Sequence, residues 1–411
     1  MHFILQAVLV SFLICGFYHI TAETWLDPDT GLNLYQFIDN HGYYYENYSI
    51  VTEDNYILNT VRIPRGKNEN TSTNTTKPAT LLLHGILSNP EDLIILGDSS
   101  IGFLLAEHGF DVYLMASRGN TYSVGHKTLS RDSVAYWNFS WHEVGYYDIP
   151  ANMDLITNLT GNVNISFIGH SQGGTAFVAL AATRPEYRIR ISAAHLFAPV
   201  VYMKYARLPF FDLIKKNNEI LQDVLTDLKL NKGVLSYNPF LLPIAILFCS
   251  RDAPTLRLCV DLLGQLCGPD PIQINSSLIT VLSTNDPAGA SFNQFFHFLQ
   301  IARTNEFRLF DYRSNNFAVY NQSKPPFYDL SSVRNIPIYV WYGYNDYFAG
   351  VQDYQRLIKE LPCAISKLVN YSLWSHIDFF FGIEAQKYVY SEVISNLQDV
   401  FGLQKQENVV Q

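Results

Sequence analysis

Along the first half of the chain, short apolar runs alternate with stretches whose apolar positions recur every three or four residues, and Gly, Pro, Asn or Asp marks most of the switches. The pattern predicts a helix over Leu32 to Asp39, then a hairpin of two β-prone runs, Tyr43 to Val51 and Tyr56 to Ile63, around the turn cluster Thr52-Glu53-Asp54-Asn55. Arg65 to Pro78 is polar and of low complexity, the composition of an exposed loop. A fully apolar strand follows at Ala79 to Leu83, then a helix over Ile101 to Glu107, a strand at Asp111 to Met115, a loop opening with Arg118-Gly119-Asn120, and a helix over Ile149 to Leu159. Next come a β-prone run at Ile165, Phe167 and Ile168, a small-residue helix from Thr175 to Ala182, and a strand at Ile191 to Phe197. Short apolar strands alternating with helices predict a mostly parallel sheet covered on both faces.

The alternation lapses after Val200. Long apolar-periodic stretches take over, among them Phe210 to Leu228, Leu241 to Cys249 and Phe292 to Ile301, and they predict a mostly helical insertion. The sheet is expected to resume at Ile336 to Tyr342 and to end with a strand at Lys367 to Tyr371, before an amphipathic helix over Glu384 to Val400. The organisation that results is an α/β core over residues 23–199 and 325–403, a helical cap or lid inserted over 200–324, a signal peptide at 1–22 and a polar tail at 404–411.

The leader rests on a nearly unbroken apolar run, Ile4 to Phe17, followed by Thr21-Ala22 ahead of acidic Glu23, a small-residue cleavage site; its n-region has His2 but no Lys or Arg. The run is shorter than the ~20 residues of a membrane span, and no later segment is long enough either, so no transmembrane segment is expected in the mature chain. Glycosylation acceptors agree with a secretory route: N-x-S/T occurs at Asn47, Asn70, Asn74, Asn138, Asn158, Asn275, Asn321 and Asn370, and also at Asn164, which opens a predicted central strand and is set apart for that reason. Beyond the leader's Cys15 there remain Cys249, Cys259, Cys267 and Cys363, and an oxidising compartment favours at least one bridge among them.

Composition narrows the partners. With 411 residues, 48% hydrophobic and 16% charged, the chain can bury a full core, and its 14% aromatic share suits a large core or an apolar substrate cleft. A net charge of −9 argues against nucleic acid or an anionic membrane as an electrostatic partner. No His/Cys/Asp cluster has the spacing of metal ligands, and no metal or cofactor is expected.

The chemistry centres on Asn164 to Leu180, which reads as strand, sharp turn and helix around Ser171, with Gly169-His170-Ser171-Gln172-Gly173 matching G-x-S-x-G. Such an elbow strains the serine backbone, leaves no room for neighbouring Cβ atoms, and stands the hydroxyl beside a helix N-terminus, where free N–H groups favour a developing oxyanion. A serine hydroxyl needs a base within hydrogen-bond reach, and the base needs an acid to orient it; in this fold class the order along the chain is serine, acid, histidine. Asp346, one turn past a strand, and His376, on the exit loop of the next, fit that order. Asp353 falls in an expected helix, Asp378 follows the histidine, and His297, within Phe295-Phe296-His297-Phe298, reads as packing in the insertion. The strand that ends at His84-Gly85-Ile86 would supply a second oxyanion N–H from Ile86 beside that of Gln172, with His84 shaping the turn and not carrying protons.

Longer motifs carry a family resemblance. T-E-D-N-Y-I-L at Thr52 to Leu58, L-L-L-H-G-I-L at Leu81 to Leu87, S-R-G-N-T-Y-S at Ser117 to Ser123, H-K-T-L-S at His126 to Ser130 and D-I-P-A at Asp148 to Ala151 come first. G-H-S-Q-G-G at Gly169 to Gly174, P-A-G-A-S at Pro287 to Ser291 and H-I-D-F at His376 to Phe379 follow in order. Together they resemble the acid lipase family of α/β-hydrolases, which includes gastric, lingual and lysosomal acid lipases and invertebrate relatives, over nearly the whole mature chain. The resemblance implies an α/β-hydrolase fold, a Ser171, Asp346, His376 triad, oxyanion donors at Ile86 and Gln172, and a cap disulfide between Cys249 and Cys259 that leaves Cys267 free. It departs from the family at Leu83, where glutamine is common, and in the acid's loop, Asn345-Asp346-Tyr347-Phe348-Ala349-Gly350. What it implies in function is cofactor-free hydrolysis of lipid esters, triacylglycerols or sterol esters, at a lipid–water interface, by a protein secreted or delivered to the lysosomal lumen. The alternative, an inactive lipid carrier on a lipase scaffold, predicts the loss of a triad member, and all three positions are filled.

Overall fold

The computed structural model describes residues 27–69, 76–209, 241–251 and 253–403, and between these residues 212, 216, 217, 219, 220, 222–224, 228 and 232–235. The leader at 1–22, Asn70 and Asn74, most of Phe210 to Leu228 and the tail at 404–411 lie outside the described residues.

The first helix, Leu34–Asn40 (α1), starts two residues later than its apolar pattern suggests because Asn33 caps it. The Asn33 side chain accepts the N–H groups of Tyr35 and Gln36 at 3.1 Å each, and Gln36 returns a bond to the Asn33 N–H at 3.0 Å. Glu46–Val51 (β1) and Tyr56–Ile63 (β2) then form the expected antiparallel hairpin, with Asn55 taking the positive φ of 73° that its turn requires. Ala79–Leu83 (β3) and Asp111–Met115 (β4) fall on the residues read from the sequence, flanking the helix Ile101–Glu107 (α2). A two-residue strand, Gly125–His126 (β5), adds to β2 and was not foreseen. Ile149–Thr160 (α3), Ile165–His170 (β6), Gln172–Thr183 (α4) and Ile191–Phe197 (β7) continue the alternation.

After Phe197 the chain leaves the main sheet. Among the described residues it builds a short pair, Gly233–Val234 (β8) with Ala290–Ser291 (β9), and helices that include Leu241–Cys249 (α5), Leu256–Cys267 (α6), Leu278–Asn285 (α7) and Phe292–Thr304 (α8). Cys249 and Cys259 form a disulfide that joins α5 to α6, while Cys267 and Cys363 are free. The sheet resumes at Ile338–Tyr342 (β10), followed by Val351–Glu360 (α9) and Ala364–Leu368 (β11).

The last strand sits three residues earlier than expected. As an edge strand it is paired only with β10, from Ile338 opposite Ala364 to Tyr342 opposite Leu368, and its half-exposed residues carry little hydrophobic pattern. The apolar residues after it, Val369 and Tyr371, belong to the turn, where the Tyr371 N–H donates to the Val369 carbonyl at 2.8 Å. The final helix is likewise divided, with a wide turn at Gln386–Tyr390 ahead of Ser391–Phe401 (α10).

The main sheet runs β1-β2-β4-β3-β6-β7-β10-β11, antiparallel through β4 and parallel from β4 to β11. β3, β4 and β6 are buried along their whole length, since helices cover both faces, and each fully buried Leu, Ile, Val or Phe contributes about 1.5–3 kcal/mol. Eight of the nine acceptor asparagines in the sequence divide simply: Asn47, Asn138, Asn158, Asn164, Asn321 and Asn370 are exposed, while Asn70 and Asn74 are not described. Asn275 is half-buried, its Oδ1 accepting from the Ser277 N–H and hydroxyl. Asn164 is exposed because β6 begins one residue later.

One buried ion network ties the loop after β4 to the rest. Arg118 is enclosed between Asp148 and Asp54: Nε donates to Asp148 Oδ1 at 2.8 Å, Nη1 to Asp54 Oδ2 at 2.6 Å, and the guanidinium lies 4.1 Å from the centre of the Tyr56 ring. Burial pushes the Asp148 carboxyl up to about 6 even so, with the arginine charge opposing it. Removing the cation would leave that carboxylate buried and uncompensated. Arg118→Met is therefore expected to lower the unfolding free energy by about 3–5 kcal/mol, read from denaturant-induced unfolding near neutral pH.

Candidate active site

Ser171 stands at the junction of β6 and α4 with φ 52° and ψ −119°, a left-handed backbone that side chains rarely adopt. Close crossing holds it there. A Cβ at Gly173 would lie 2.6 Å from the Leu83 carbonyl oxygen, so the start of α4 presses directly on the end of β3. The Ser171 N–H donates to the Phe197 carbonyl at 2.8 Å, which ties the elbow to the end of β7.

The loops after β10 and β11 converge on this elbow. His376 Nε2 lies 2.8 Å from Ser171 Oγ, and His376 Nδ1 lies 2.8 Å from Asp346 Oδ2. All three side chains are buried. Asp346 has two more kinds of donor: its Oδ1 accepts the N–H groups of Phe348 and Ala349 at 2.7 and 3.3 Å, and its Oδ2 accepts the Tyr354 hydroxyl at 2.5 Å. Burial first, and then the Asp346 charge, push the Tyr354 phenol well above its ordinary range, so it stays a donor. With the carboxylate accepting from Nδ1–H, Nε2 is left as the acceptor for the serine hydroxyl proton. The row is thus arranged to draw a proton from Ser171 Oγ toward His376.

The backbone of His376 is held from two sides. His170 Nε2 donates to the His376 carbonyl at 2.8 Å, and the His376 N–H donates to the Cys267 carbonyl at 3.1 Å. Burial, followed by the proximity of His376, drives the His170 imidazole well below its ordinary value, which keeps it neutral. The Phe348 ring lies 4.3 Å from that of His376.

On the other side of Ser171 lies the loop after β3. A Cβ at Gly85 would be 3.2 Å from Ser171 Cβ, so the loop that carries Ile86 passes close beside the serine. Gln172 opens α4, where helix geometry provides its N–H with no acceptor. His84 shapes this loop. Its Nε2 accepts the Ser117 N–H at 3.2 Å, leaving Nδ1 to donate to the Gly85 carbonyl at 2.8 Å, and burial lowers its pKa to about 4.

The residues weighed against the row lie elsewhere or do other work. Asp353 accepts the N–H groups of Lys204, Tyr205 and Gly350 at the start of α9. His297 stacks on Trp141 at 3.7 Å and bonds to Ser140 and to the Arg308 carbonyl. Asp378 accepts the Ser375 N–H at 2.6 Å. Tyr354 and the backbone anchors at Cys267 and His170 were not foreseen; a tyrosine one helix away from an aspartate leaves no periodic signal. Among the described residues, no group of three or more His, Cys, Asp or Glu is placed to hold a metal ion.

Comparisons with known proteins agree with this architecture. A family model described as a partial alpha/beta-hydrolase lipase region matches residues 34–97, and one described as the alpha/beta hydrolase fold matches residues 78–233. Lipase 3 of Drosophila melanogaster is 35% identical over 399 residues, 95% of this chain and 98% of that protein. Human gastric triacylglycerol lipase is 35% identical over 375 residues, covering 90% and 92% of the two chains. Human lysosomal acid lipase/cholesteryl ester hydrolase is 35% identical over 379 residues, again 90% and 92%.

Tyr354→Phe removes one charge-assisted bond to Asp346 with almost no change in volume. It is expected to cost about 1.5–3 kcal/mol of stability, measured by chemical unfolding at neutral pH.

Proposed function

The chain belongs to the acid lipase family of α/β-hydrolases and is a carboxylic ester hydrolase, and from that premise we propose that it cleaves long-chain lipid esters through an acyl-enzyme on Ser171. The observation that carries the reading is the hydrogen-bonded row of Ser171, His376 and Asp346, in which both links measure 2.8 Å.

Ser171 Oγ attacks the ester carbonyl as His376 Nε2 takes its proton. Asp346 holds the imidazole in the required tautomer and stabilises the cation that forms. The tetrahedral oxyanion is received by the amides of Ile86 and Gln172, each such donor being worth on the order of 10²–10³ in rate. His376 then gives its proton to the departing alcohol, breaking the ester C–O bond. A water molecule, deprotonated by the same imidazole, attacks the acyl group and releases the fatty acid, which restores Ser171.

A lipid substrate is supported by the insertion as well as by the relatives' names. Ile244, Leu247 and Phe248 on α5, and Leu258, Leu262 and Leu266 on α6, are exposed, and the disulfide joins these two helices into one apolar-faced hairpin suited to a lipid–water interface. We assign the insertion the part of a cap over the substrate path. The same relatives suggest triacylglycerols and sterol esters as the substrate classes. A secretory destination, extracellular or lysosomal, is supported by the apolar leader, by the disulfide and by the exposed acceptor asparagines. No helix among the described residues is long and apolar enough to cross a membrane.

Ser171→Ala is expected to cut hydrolysis of a fluorogenic long-chain ester by roughly 10⁴-fold or more while leaving the far-UV circular dichroism unchanged. Asp346→Asn, which favours the wrong imidazole tautomer, is expected to lose about 10⁴-fold in kcat. A folded Ser171→Ala protein that keeps activity within about tenfold of wild type would end the serine mechanism.

A further inference from the structure

The insertion reaches back to the turn that carries His376. Cys267, whose carbonyl accepts the His376 N–H, is the last residue of α6, and three residues on Asp270 meets Asp378, two residues after His376. Both aspartates are buried. Asp378 Oδ2 accepts the N–H of Ser375, the residue before His376, at 2.6 Å. Asp270 Oδ1 accepts the N–H groups of Ile272 and Gln273 at 3.2 Å each, and the Tyr371 hydroxyl at 3.3 Å.

The remaining oxygens, Asp270 Oδ2 and Asp378 Oδ1, are buried and receive no N–H or hydroxyl donor, and the two carboxyls are close enough to act on each other. Ionised carboxylates only accept, so two such oxygens can be satisfied by each other only while one of the two carboxyls carries a proton. The titratable groups that face the pair are Tyr371, on the loop after β11, and the Cys267 thiol, which burial and then the charges of Asp346 and Asp378 push up. The His376 imidazole is turned toward Asp346. Among the described residues, no Lys or Arg side chain is paired with either carboxyl.

We propose that Asp270 and Asp378 share one proton and through it hold the His376 turn against the end of α6, which makes them positioning residues for the base of the reaction. This rests on the role proposed above for His376. Burial, before any other cause, raises both carboxyls above the ordinary carboxylate range, and for Asp378 the charge of Asp270 adds to it. A carboxyl raised in the folded protein contributes stability that is fully present below its unfolded value, about 4, and is lost as pH climbs through the folded one. Above that window two carboxylates face each other with no cation between them. They push the Ser375–Asp378 turn away from α6, and a slip of about 1 Å at a reacting group costs on the order of 100-fold in rate.

Asp270→Asn puts a permanent amide donor where the shared proton stands, and Asp378→Asn does so from the other side. With the full chain and a long-chain ester, the alkaline limb of kcat in Asp270→Asn is expected to move up by about one pH unit or more, with little change in KM. The fall in Tm between about pH 5 and pH 8 is expected to become shallower than in wild type. A second carboxyl pair, Asp92 with Asp286, beside Glu91, adds its own pH dependence to the stability of both proteins, and the difference between them isolates the first pair. Asp378→Asn is expected to behave alike and decides the matter if Asp270→Asn folds poorly. An alkaline limb that superimposes on wild type in a folded variant overturns the positioning role, whatever the Tm slope does. If folded wild type turns over no ester at any pH, it is the proposed function that fails. The Tm slope then decides the shared proton, a shallower slope supporting it and an unchanged one overturning it.

Discussion

Everything at the site depends on the backbone of Ser171 being held at φ 52°. A non-glycine residue in that conformation costs about 1–3 kcal/mol, and it persists only because its surroundings allow no alternative. β6 and α4 are pressed so closely against β3 that Gly173 has no room for a Cβ, and the Ser171 N–H is bonded to the end of β7. Three adjacent parallel strands therefore set the position of one hydroxyl. The same crowding brings the loop after β3 to within contact of the serine, so the Ser171 hydroxyl and the backbone of that loop are fixed by one packing arrangement.

The other half of the row is set by hydrogen bonds. Asp346 is fully buried yet accepts from two backbone N–H groups, the Tyr354 hydroxyl and His376, which compensates its desolvation and aims Oδ2 at the imidazole. His376 is in turn anchored through its own backbone, by His170 from the elbow and by Cys267 from the insertion. The insertion thus enters the geometry of the site, because α6 ends where the histidine turn needs an acceptor.

Much of this was legible in the order of residues. β3, β4 and β7 are mostly apolar because both of their faces are largely buried, and their limits could be read directly. G-x-S-x-G singled out Ser171, and the serine, acid, histidine order singled out Asp346 and His376, which the fold brings together. What was misplaced follows from weak or absent pattern. β11 is an edge strand whose residues are half-exposed, and α1 is started by a capping side chain and not by hydrophobicity. Tyr354 meets Asp346 from a separation of eight residues and Asp270 lies far along the chain from the His376 turn, and no local periodicity announces either.

The central claim is that Ser171 is a nucleophile activated by His376, and a covalent trap tests it most directly. Wild-type protein treated with a long-chain alkyl phosphonate ester, digested and examined by peptide mass spectrometry, is expected to carry one phosphonyl group, on the peptide that contains Ser171. The same treatment of His376→Ala is expected to leave that peptide unmodified. An active protein that is labelled at another residue, or is not labelled at Ser171 at all, would contradict the account.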